Sequence, residues 1–125
     1  MKINIILCSV MISLALLLGG CGGQNRELKK DARNFADAMC RNIETMQKIR
    51  KASPADTLLM QKLQKEHQAE ETEMTTLSVD FRKKYGEKIN IPEFNRQYRK
   101  YLNEAMLDCR FLSKEDRENF EKEVK

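Results

Sequence analysis

His67 is the chain's single histidine, and Glu66, Glu70 and Glu71 surround it. On a helix, Glu70 and Glu71 lie three and four residues further on and share its face. Such a face is open to acid–base or metal chemistry, but the pattern is incomplete for both. Metal-binding helices present two ligands at fixed spacing, as in H-E-x-x-H, and no second histidine exists to complete one. A solvated acidic face carrying one histidine accounts for the same residues. No G-x-S-x-G elbow, glycine-rich phosphate loop or Cys–His nucleophile pattern occurs either. The sequence therefore predicts no catalytic residues, no cofactor and no metal site. Met39, Met46, Met60, Met74 and Met106 are scattered along apolar stripes, which reads as adaptable core filling rather than a copper site.

Charge is organised more sharply than its total of +4 implies. Residues 66–80 carry Glu66, Glu70, Glu71, Glu73 and Asp80 with no Lys or Arg. Residues 81–101 carry Arg82, Lys83, Lys84, Lys88, Arg96, Arg99 and Lys100 against Glu87 and Glu93. The basic block is interleaved with Phe81, Tyr85, Phe94, Tyr98 and Tyr101. Two readings fit it. Cations in the last turn of a helix suit its dipole, and the aromatics fall on core spacing. Alternatively, cations with Tyr and Phe suit an anionic lipid surface, at about 1 kcal/mol per well-placed charge.

The N-terminus gives these groups an address. Lys2 precedes an apolar run from Ile5 to Leu18, broken only by Ser9 and Ser13. That length suits a signal h-region and falls short of the roughly twenty residues a spanning helix needs. The run ends in Leu18-Gly19-Gly20-Cys21, which resembles the lipobox of bacterial lipoproteins, where the cysteine is lipidated and becomes the new N-terminus. The resemblance covers only residues 1–21. It implies a signal peptide over 1–20 that carries Cys8 away, lipidated Cys21 with a short linker to residue 25, and one domain over 26–125. An ordinary signal peptide with a chance cysteine, or an uncleaved anchor, fits the run as well. Gly22 to Asn25 spans at most about 14 Å, so the domain is expected close to the bilayer. Lipobox proteins with glycine rather than aspartate after the cysteine often go to the outer membrane, so the resemblance implies that membrane, facing the periplasm. Export, together with a small positive margin, argues against nucleic acid as a partner.

The remaining sequence is built of helix formers. Leu28, Ala32, Phe35, Met39, Ile43, Met46 and Ile49 recur at spacings of three and four, which predicts an amphipathic helix A over Arg26–Lys51. Ser53-Pro54-Ala55-Asp56 reads as N-cap, N1 proline and capping-box acid of helix B, predicted over Pro54–Tyr85 with Gly86 as a left-handed C-terminal residue. Its ends are apolar, but from Gln64 to Glu73 the seam falls on His67 and Glu70, so the helix is either solvated there or broken. Asn90-Ile91-Pro92-Glu93 is a second capping-box pattern, opening helix C, whose stripe runs Phe94, Tyr98, Tyr101, Ala105, Cys109, Leu112. Ser113 to Asp116 caps a short last helix that offers Phe120 and Val124 for docking. The expected fold is all-α: a three-helix up-down-up bundle with a short C-terminal helix.

Within the envelope that the lipobox resemblance implies, an even pair of cysteines in a small domain favours a disulfide. Helix lengths test it. At 1.5 Å per residue, Cys40 lies roughly 21 Å up helix A and Cys109 roughly 27 Å up helix C. Helix B descends somewhat below the start of A, so the two heights nearly match. The bridge then sits level with the polar middle of helix B, where an apolar layer is missing. Free thiols, a metal or a redox pair are alternatives, without a C-x-x-C to favour them.

The function expected is a small, non-enzymatic envelope lipoprotein that binds a protein partner as an accessory or inhibitor. Its surface would be the stretch around His67, Glu70 and Glu71, or the basic corner. The alternative is a membrane-surface protein holding anionic headgroups through that corner. An enzyme or metal carrier centred on His67 is the third reading.

Overall fold

A computed structural model of the chain describes side chains from Gly23 to Lys125. The apolar run, Cys8 and the Leu18–Cys21 junction lie outside the residues so described. The elements are α1 (Lys2–Lys51), α2 (Thr57–Tyr85), a 3-10 helix (Gly86–Asn90), α3 (Pro92–Met106) and α4 (Lys114–Val124). There is no strand among the described residues.

Helix α1 is the spine, packed along both α2 and α3, with α4 resting on α3. Its buried residues are mostly small: Ala32, Ala36 and Ala38 are nearly inaccessible, beside Leu28 and Thr45. A methyl side chain lets two neighbouring helices approach the same axis closely, which a helix flanked on two sides requires. Leu28 and Met106 are the largest fully buried side chains, so the core is thin. Its main cluster joins Ala36, Met106 and Cys109, with Ile43, Leu102, Phe111 and Phe120 packed against it. The Cys40–Cys109 disulfide crosses this cluster, with Cα atoms 5.6 Å apart. The predicted pairing is present.

Three predicted details of the helix ends are corrected. Helix α2 starts at Thr57, not Pro54, because its cap is Asp56, whose carboxylate accepts from the Leu59 amide at 3.1 Å. Ser53 belongs to the preceding turn, where its carbonyl accepts from the Asp56 amide. At the other end Gly86 has the expected positive φ, +51°, but ψ is −127°. That is the mirror-β region open to glycine, not the left-handed helical one, and the chain runs on into the 3-10 helix. Helix α3 has Pro92 in its first turn, yet Asn90 lies in the 3-10 helix and Ile91 caps α3 without a side-chain bond. The predicted capping box does not form.

Helix α3 also ends at Met106, before Cys109 and Leu112, which the apolar stripe had placed on it. No Gly or Pro marks that stop. Arg117 of α4 donates to the Leu107 carbonyl at 2.7 Å and to that of Cys109 at 2.9 Å, and Gln47 of α1 donates to Phe111 O at 2.7 Å. Side chains distant in sequence thus satisfy the carbonyls that another helical turn would have used. The final helix follows its prediction: Ser113 Oγ accepts from the Asp116 amide at 3.0 Å, and Phe120 packs on the core.

Candidate functional site

The acidic stretch of α2 is continuous helix, and its seam residues turn toward α1. Asn42 Nδ2 lies 2.8 Å from His67 Nδ1. With the amide donating, His67 carries its proton on Nε2, which is 3.3 Å from Glu71 Oε1. Thr45, almost fully buried, donates to Glu70 Oε1 at 2.9 Å. The other Glu70 oxygen is buried with no partner among the described residues. Arg41 clasps both oxygens of Glu73 at 2.7 and 2.8 Å. The missing apolar layer is therefore a polar layer, its groups paired across the α1–α2 seam. His67 and Glu70 are half-buried in it, while the Glu71 side chain is 60% exposed. Among the described residues no group of three His, Cys, Asp or Glu is placed to hold a metal ion.

The basic–aromatic block divides in two. Inside, Phe81 stacks tilted on Tyr85, Phe94 and Tyr98 at centroid distances of 4.7, 6.2 and 4.4 Å, joining α2 to α3. Tyr85 Oη and Lys84 Nζ both donate to Asp31 Oδ2, at 2.7 and 2.8 Å, and Lys84 also lies 3.5 Å from Glu27. Burial first, and then the bond to the Asp31 carboxylate, pushes the Tyr85 phenol up to about 12. Burial, helped by the charge of Asp31, does the same to Tyr98. Both phenols thus hold their protons more tightly folded than unfolded, where they titrate near 10. The stability they contribute is complete below pH 10 and is lost as pH rises from 10 to 12. Spectrophotometric titration should show two tyrosines ionising near pH 12, with unfolding setting in over the same range.

On the outside, the cations differ in their partners. Arg96 pairs with Glu93 and Arg99 with Glu123, and Lys84 is taken by Asp31 and Glu27. Arg82, Lys83, Lys88 and Lys100 are exposed and make no ion pair among the described residues. This corner also carries Ile91, 51% exposed. It sits beside the start of the described chain, where Glu93, Phe94 and Gln97 share a groove with Gln24, Asn25 and Leu28.

The opposite end carries a feature that residue-by-residue reading passed over. Leu58 is 79% exposed and Leu59 40% exposed, next to exposed Pro54 and Ala55 in the turn before α2. A signal for this existed in the sequence: Leu58, Leu59 and Met60 are consecutive, and three adjacent residues cannot share one helix face. Arg50, Lys51, Lys62 and Lys65 surround the tip. Of these four, only Lys62 makes an ion pair among the described residues, with Glu66 at 3.9 Å. Between this tip and the basic corner runs the whole of α2, about 40 Å at 1.5 Å per residue.

The chain matches no protein-family model, no curated protein and no solved structure. The reading of its function therefore rests on its own two ends. Among the described residues no helix is long and apolar enough to cross a membrane.

Proposed function

We propose that this protein is a lipid-anchored, non-enzymatic accessory or inhibitor of an envelope protein, which it binds with the apolar tip at Pro54–Leu59. In this reading the signal peptide is removed, Cys21 carries the lipid at an outer membrane, and the domain is a three-helix up-down-up bundle. The helix pairings support that topology. Asp31 with Tyr85 and Arg41 with Glu73 run antiparallel between α1 and α2. Lys29 beside Tyr101, and Cys40 bonded to Cys109 just past the end of α3, run parallel between α1 and α3. The observation that carries the binding role is the contiguous apolar tip, where Leu58 (79% exposed) and Leu59 (40% exposed) adjoin exposed Pro54 and Ala55. Contiguous exposed apolar surface, unlike a single exposed side chain, marks interaction sites.

The test has two parts. The mass of the mature protein reads the lipid on Cys21 and the loss of residues 1–20. Chemical crosslinking in intact cells, then affinity recovery, compares wild type with Leu58→Lys. The variant should unfold within about 0.5 kcal/mol of wild type, as exposed positions do. It should recover one dominant partner at about a tenth of the wild-type yield, the loss expected from about 1.4 kcal/mol at an interface. Equal recovery by the variant rules out the tip.

A further inference from the structure

We infer that the corner formed by the end of α2, the 3-10 helix and the first turn of α3 lies against an anionic bilayer, with Ile91 entering the interface and Arg82, Lys83 and Lys88 over the headgroups. This deepens the lipid-anchor reading and rests on it. Three observations converge on one occupant. The first is position: the α3 start is level with Gln24 to Leu28, so a lipid on Cys21 brings this corner, not the tip, to the membrane. The second is charge. Once Lys84, Arg96 and Arg99 are assigned to their carboxylate partners, Arg82, Lys83, Lys88 and Lys100 remain without one among the described residues, against Glu87 nearby. A protein groove of opposite charge would suit these cations too, but it would have to fit between the domain and a bilayer a few residues away.

The third is Ile91. It occupies the N-cap of α3, where Ser, Thr, Asp or Asn would satisfy a helix amide, and it makes no such bond. Its side chain is half exposed beside Pro92. An apolar residue with basic neighbours at the tethered end matches the composition of a bilayer-contacting segment. The consequence is orientational. One lipid chain set leaves a domain free to pivot, whereas a second contact at the corner stands the bundle upright and points Leu58 away from the membrane.

The experiment uses the intact protein purified from cells. Mass spectrometry first reads the lipid on Cys21, and its absence would defeat the anchor reading alone. Hydrogen exchange of residues 86–91 is then followed with the protein in vesicles of phosphatidylcholine alone or with phosphatidylglycerol added. Exchange should slow by about fivefold or more in the anionic vesicles, the factor one well-placed cation contributes, and the slowing should vanish at high salt. The variants Ile91→Ser and Lys83→Glu/Lys88→Glu alter exposed side chains and should each abolish it, with exchange in α2 unchanged. Equal exchange in the two vesicle types, from lipidated protein, overturns the proposal. So does slowing that survives both variants.

Discussion

Replacing Cys40 and Cys109 together by alanine should lower the free energy of unfolding by about 3–5 kcal/mol, the range for closing a loop of this length. The residues are 69 apart in sequence, so the bridge removes a large share of the unfolded chain's freedom. The native side adds to the effect. Cys109 lies past the end of α3, in a turn held by its own amide's bond to the Met106 carbonyl at 2.9 Å and by the side chains of Arg117 and Gln47. It is buried with Ala36 and Met106, so losing the sulfur also loosens the main cluster of a thin core. A typical domain has only about 5–15 kcal/mol in total, and the double variant should approach the threshold of folding at growth temperature. Guanidinium unfolding of oxidised, reduced and double-variant protein measures this. A shift under about 1 kcal/mol would mean that the helices alone hold the bundle.

Met106→Ala should be the largest single-residue loss away from the bridge, about 2–5 kcal/mol. Met106 is 1% exposed and closes the last turn of α3 against α1. Its fully buried neighbour on α1 is Ala36, too small to fill the space, and the larger side chains packed against the cluster, Ile43, Leu102 and Phe120 among them, would each have to leave their own contacts to do so. The contrast is with Leu58, equally apolar and 79% exposed, whose change to alanine should cost less than about 0.5 kcal/mol. The same denaturation assay reads both. If the two variants unfold alike, the core is not where these contacts put it.

The comparison between Met106 and Leu58 also marks what the sequence made legible. Period-three-and-four stripes revealed α1 from Arg26 to its last residue, but residues 23–25, read as a linker, already belong to the helix; Gly86 fixed the end of α2. Parity and helix length brought Cys40 and Cys109 together. The seam at His67 and Glu70 was visible too. What was hidden was its solution, since Asn42 and Thr45 reach those residues only once the register of α1 on α2 is known. The N-cap of α2 was ambiguous locally: Ser53 and Asp56 are both good caps, and only the Leu59 amide decides between them. The end of α3 was unreadable for another reason. Apolar periodicity continues through Cys109 and Leu112 because both remain in the core, while the turn that carries them is set by Arg117, on the next helix. Leu58 was overlooked because stripe reading looks for residues that face inward.

Binding of a partner by the tip of the bundle can be read from a photocrosslinking amino acid placed at position 58 in intact cells. Thr72, on the exposed middle of α2, serves as the comparison site. A single strong adduct from position 58, absent from position 72 and the same size in every preparation, is the predicted result. Adducts of equal strength from both sites, or none from position 58, would contradict it.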